Sequence, residues 1–178
     1  MQKLQRLMRN RPPRDVLPKR EVAGRRNKPP LHYYGFPFTI EYAVEYARRH
    51  ALTIQLAEED YEAFGGKEVF NFADVDDSQL APGSELRIFI KTTACHLMVK
   101  DLAKKCRMVL QTGRPFSLEW DSIVALWSNY DVRERHAVTG WRFDEIVDVL
   151  KAGMNEGDGP ESKLQWWFDW DNNVVCSP

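Results

Sequence analysis

Half of the prolines in this chain, Pro12, Pro13, Pro18, Pro29 and Pro30, fall within its first 30 residues. Proline fixes φ and removes a backbone donor, so such a stretch cannot enter a helix interior or a central strand. Residues 12–30 are therefore expected to be extended. Residues 1–11 offer Leu4, Leu7 and Met8 for one side of a short helix, a length that is marginal alone in water. Any packed fold has to come from residues 31–178, read as a single globular domain behind a flexible arm 1–30.

Charge divides at the same place. The overall net charge is −1, but residues 1–30 hold ten basic groups against Asp15 and Glu21, a net of +8. Residues 31–178 hold the other 15 basic and 24 acidic groups, a net of −9. An asymmetry of this kind marks an interaction tail. Four readings of the arm stand side by side. It is a solvated tail that can fold back on the acidic body; a nucleic-acid or nuclear-import segment, with Arg25, Arg26 and Lys28 as its densest cluster; a mitochondrial transit peptide, against which the absence of Ser and Thr counts; or an attachment to an anionic membrane.

Hydrophobic residues make up 43% of the 178, enough for a core without metal or disulfide staples. The three cysteines, Cys95, Cys106 and Cys176, are an odd number in a chain of this size and are read as reduced thiols. No apolar run approaches the roughly 20 residues of a spanning helix. The expectation is a soluble protein, cytoplasmic or nuclear, or mitochondrial where the arm acts as a transit peptide.

Periodicity predicts the elements. Residues 31–38, with Gly35 and Pro37, read as an aromatic turn. Ile40, Ala43, Val44 and Ala47 share one helical face behind Thr39. Residues 54–64 read as a second helix closed by Gly65 and Gly66, and Val69, Phe70 and Phe72 as a short strand. Asp74 to Ser84 reads as loop, Leu86 to Ile90 as the best central strand, and 94–106 as helix. Arg107 to Gln111 leans to strand, with a break at Thr112 to Pro115. Trp120, Ile123, Val124 and Trp127 read as a helix, as do Phe143, Ile146, Val147 and Leu150. Leu164 to Trp170 reads as the last strand. The expected class is α+β, with about five helices packed against a small, mostly antiparallel sheet.

The chemistry-bearing patterns are thin. Cys95, His96 and Cys106 lack the fourth ligand of a zinc site. Asp74, Asp76, Ser78 and Glu85 echo a calcium loop, but Gln79 stands where a glycine is needed. Asp169, Asp171 and Asn173 repeat only its opening. His136 lies among charged neighbours and reads as a solvated residue. No nucleophile elbow or phosphate loop is present, and no metal or cofactor is expected.

The most unusual stretch is Trp166-Trp167-Phe168-Asp169-Trp170. Strand alternation sends Trp166, Phe168 and Trp170 to one face and Trp167 with Asp169 to the other. One reading is a strand with one face in the core; the other is an aromatic surface beside carboxylates. Trp167, Trp170 and Asp169 are the binding candidates for a protein partner, with Arg25, Arg26 and Lys28 for nucleic acid or another anionic surface. The functional expectation is a non-enzymatic interaction domain. The alternatives are an enzyme whose site is assembled from scattered residues, and non-specific nucleic-acid binding through the arm.

Overall fold

The computed structural model describes residues 29–60, 62–84, 86–131, 138, 140–157 and 159–170. The basic arm up to residue 28 lies outside them. The class is α+β, and four α-helices occur among the described residues rather than about five. The chain divides into two compact units, residues 40–101 and the remainder.

In the unit of residues 40–101, helix α1 (Ile40–Arg49) buries Ala43, Val44 and Ala47 of the face its periodicity predicts and Tyr46 besides, while Ile40 is half-buried. The expected helix over 54–64 is not formed. Thr53–Gln55 is strand β2, paired antiparallel with β3 (Val69–Asn71). The acidic run Glu58–Asp60 makes only a single 3-10 turn. Here the β-branched pair Thr53 and Ile54 gains a partner strand, which local helix propensity cannot match. Phe64, Phe70, Phe72 and Phe89 form a chain of ring contacts, with Phe64 to Phe89 at 4.9 Å. Part of the expected 74–84 loop is a short helix, α2 (Asp77–Leu80). Asp76 caps it by accepting from Ser78 and Gln79 amides, while Gln79 reaches back to the Asp76 amide.

Helix α3 runs from Leu86 to Cys106 without a break. The expected strand at Leu86–Ile90 is its first turn. Ile90, Ala94, Met98 and Leu102 are all buried, so the four-residue stripe read for 94–106 extends one turn back. No glycine or proline interrupts it, and Ile88, at the centre of the supposed strand, is exposed. No helix among the described residues is long and apolar enough to cross a membrane.

The other unit is a four-stranded antiparallel sheet in the order β4-β5-β1-β6, from β4 (Gln111–Gly113), β5 (Ser122–Ser128), β1 (His32–Phe38) and β6 (Gln165–Phe168). The supposed turn at 31–38 is thus a central strand. Gly35 belongs there because a Cβ would come within 2.1 Å of the Val124 carbonyl oxygen. The close approach coincides with a bulge: Tyr34 pairs with Trp127 but Gly35 with Ala125, so Leu126 is the extra residue. Pro37 gives no donor, but its carbonyl accepts the Ser162 hydroxyl at 2.7 Å.

The bulge also explains why 120–127 reads as a helix. Skipping one residue puts Val124 and Trp127, three apart, on one side of β5, while Ile123 faces the other. Both sides of β5 are buried, so apolar residues recur at helical spacing on a strand. The expected break at Thr112–Pro115 is β4 and its continuation. There Pro115 bridges Asp169, the Phe116 amide donates to the Phe168 carbonyl and the Trp170 amide to the Arg114 carbonyl. The β4 segment therefore reaches the free edge of β6, and the sheet closes on itself.

Helix α4 (Trp141–Met154) packs against β1, burying Ile146, Leu150, Gly153 and Met154. On that side Tyr34 stacks on Trp127 at 5.5 Å and tilts against Trp166 at 5.1 Å, and Trp127 meets Phe143 of α4. The inner side holds Ile123, Ala125 and Trp167, with Tyr33 and Trp120 packed against them.

Candidate interaction surface

Closure of the sheet brings together rings that are distant in sequence. Phe116, carried by the β4 continuation, stacks on Trp170 at 4.6 Å with 22° between planes. Phe168 meets Phe116 edge-on at 6.2 Å, and His32 meets Phe168 edge-on at 5.4 Å. All four rings are half-buried. Two residues after Phe116 in the chain, Leu118 is 96% exposed. The result is an aromatic edge of four rings from β1, the end of β6 with the residues just after it, and the 114–116 segment.

The same place anchors the root of the basic arm. The Asn129 side-chain amide donates to the Pro30 carbonyl at 2.9 Å, and its oxygen accepts the His32 amide at 2.9 Å. The Tyr130 hydroxyl donates to the Pro29 carbonyl, and His32 Nδ1–H donates to the Pro30 carbonyl at 3.0 Å. Pro29 and Pro30 are thus held where they leave the sheet, two residues from a ring of the aromatic edge. Burial pushes the His32 imidazole below its ordinary value, outweighing the hydrogen bond to Pro30.

The inner side of the sheet is polar at this end. Asp131 accepts from Gln111 Nε2 at 2.7 Å, from the Ser128 hydroxyl at 2.6 Å and from the Ser128 amide at 3.0 Å. Burial, and then the charges of Asp169 and Asp131, hold the Tyr33 phenol above its ordinary value. The network fixes the 128–131 turn to β4, and through Asn129 it fixes the arm's root.

Of the binding candidates read from sequence, the structure separates Trp167 from Trp170. Trp167 is 4% exposed and donates its indole N–H to the Gly35 carbonyl at 3.2 Å. It is a core ring of the inner side, which corrects its reading as an exposed interface residue: with no side chain on Gly35, the indole can reach that backbone. Asp169 is 1% exposed and also on the inner side, with its amide donating to the Leu31 carbonyl. Trp170 joins the aromatic edge. Arg25, Arg26 and Lys28 lie outside the described residues, as do His136 and Cys176.

Sequence reasoning set Phe168 on the same face as Trp170 but missed Phe116 and His32 as their companions, because only strand pairing assembles them. It also missed Trp141, which is 77% exposed at the start of α4. The signal was available: Trp141 falls outside the Phe143, Ile146, Leu150 stripe. Asp76 serves as a helix cap, and Cys106 is buried with its thiol against the Ile146 carbonyl. Among the described residues no group of three His, Cys, Asp or Glu side chains is placed to hold a metal ion.

No protein-family model matches the chain, and neither the curated proteins nor the solved structures include a detectable relative.

Proposed function

We propose that this chain is a non-enzymatic interaction domain that docks a partner on the aromatic edge and engages anionic groups with its basic arm. The observation that supports this reading is the half-buried Phe116–Trp170 stack. Tryptophan is enriched at binding hot spots, and aromatic residues generally at interfaces. Asn129 and Tyr130 hold Pro30 and Pro29 close in sequence to His32, and the basic residues precede those prolines along the chain.

A photoreactive residue in place of Leu118, introduced in the full-length protein inside cells, tests the reading. The expected result is one or a few discrete crosslinked species that disappear when Trp170→Ala is added. Crosslinks that survive that substitution, or that form equally from a photoreactive residue at the exposed Ile88, contradict it.

A further inference from the structure

We infer that the solvent-facing stripe of α4 that begins at Trp141 docks an arginine-rich, extended segment of a partner protein. This is a second surface, and it does not depend on the aromatic edge.

Three observations carry it. First, the ring is open. Of the six tryptophans Trp141 is the one that is exposed, at 77%; the other five are buried or half-buried. Tryptophan is highly buried on average and is enriched where partners bind. Second, the charge beside it is of one sign. At about 100° per residue, Glu145 and Asp148 fall within about 40° of Trp141 around α4, with Asp144 alongside. All three acids are exposed, and the buried Ile146 and Leu150 lie on the opposite side. The exposed Arg142 and Lys151 flank the stripe without interrupting it. Third, none of the three carboxylates belongs to an ion pair among the described residues. The helix dipole accounts for an acid in the first turn, which is Asp144. It does not account for Asp148, about two turns in.

An indole face next to unpaired carboxylates matches a guanidinium, which stacks on aromatic rings and pairs with carboxylates through two parallel hydrogen bonds. Glu145 lies about 6 Å along the helix from Trp141. Side chains two apart on an extended peptide are about 6.6 Å apart on one face, so arginines at alternate positions meet the ring and then the acid. Other occupants fit less well. A second copy of the stripe would set carboxylate against carboxylate, and a nucleic acid or an anionic membrane would be repelled.

Fluorescence anisotropy on the full-length protein tests this with a short labelled peptide of alternating Arg and Ser. Trp141→Ala is expected to weaken binding about threefold. Asp144→Asn, Glu145→Gln and Asp148→Asn together are expected to weaken it about tenfold. Trp170→Ala should leave it unchanged. So should Glu58→Gln, Glu59→Gln and Asp60→Asn together, which remove the same charge from another surface run. The exposed side chains of the stripe can be changed without disturbing the core, and circular dichroism verifies the fold of each variant.

No binding overturns the proposal. Equal weakening by the two sets of acid substitutions also overturns it, because the attraction would then be to net charge alone. Binding lost in Trp170→Ala but kept in Trp141→Ala overturns it and moves the peptide to the aromatic edge. If the peptide binds more tightly once Arg25, Arg26 and Lys28 are changed to Gln, and that gain needs Trp141, the chain's own arm covers the stripe and the choice of an outside partner is overturned.

Discussion

The ring of Tyr33 occupies the space that a side chain on Gly113 would need: a Cβ there would lie 2.3 Å from Cδ2 and 2.5 Å from Cε2. Tyr33 stands on β1 and Gly113 on β4, with β5 between them, so the tyrosine reaches across a whole strand. Gly113→Ala is expected to displace a ring that has some freedom to move, costing about 1–3 kcal/mol. At Gly35 the obstacle is the backbone of β5, which cannot swing aside. Gly35→Ala is expected to cost about 3 kcal/mol or more. Urea unfolding at constant m-value measures both, and equal costs would contradict the distinction between ring and backbone.

Stability should respond to pH through His32. Burial holds its imidazole below the ordinary value of 6.5, so the folded state resists the proton that the unfolded chain accepts. The stabilisation is complete above 6.5 and is lost as pH falls through the folded value. Unfolding free energies compared between about pH 7.5 and pH 5.5 should fall more in the wild type than in His32→Gln. That window lies above the range of Glu41, whose hydrogen bond to Lys91 holds its carboxyl low. An identical fall in both proteins would remove His32 as the cause.

Cys106 gives the opposite sign at the alkaline end. Burial pushes its thiol from 9.0 up to about 11. Its contribution is fully present below 9.0 and is lost as pH rises toward the folded value. A thiol reagent near pH 8 should leave Cys106 unmodified until the protein unfolds. Across the alkaline range, wild type should lose stability that Cys106→Ala does not. Rapid modification of Cys106 in the folded protein would show that its pocket opens.

How legible the fold was depends on whether a residue's environment is local. Helix α1 and helix α4 were readable because each has one buried stripe, and Ile146 and Leu150 sit where spacing puts them. The alternation around Trp167 was readable for the same reason. Strand β5 was not, because the bulge at Leu126 shifts its phase and both of its sides are buried. Nor was β1: Gly35 and Pro37 signal a turn locally, while the need for a glycine comes from Val124, nearly ninety positions away. The candidate surface was half legible. Trp170 stood out in the sequence, but Phe116 reaches it only through the bridge between Pro115 and Asp169, a non-local contact with no local signature. Trp167 was misplaced because alternation gives a side chain its face without saying what covers that face.

The central claim is that anionic ligands meet this chain at Trp170 and not at its other tryptophans. Fluorine NMR of the full-length protein, with fluorinated tryptophan at all six positions and signals assigned by single substitution, reads this directly. On addition of an adenine oligonucleotide, a probe that carries both planar and anionic groups, the Trp170 signal is expected to shift and broaden, while those of the buried Trp127 and Trp167 stay in place. A Trp170 signal that does not move while that of Trp141 does would place the interaction on α4 and contradict the aromatic edge.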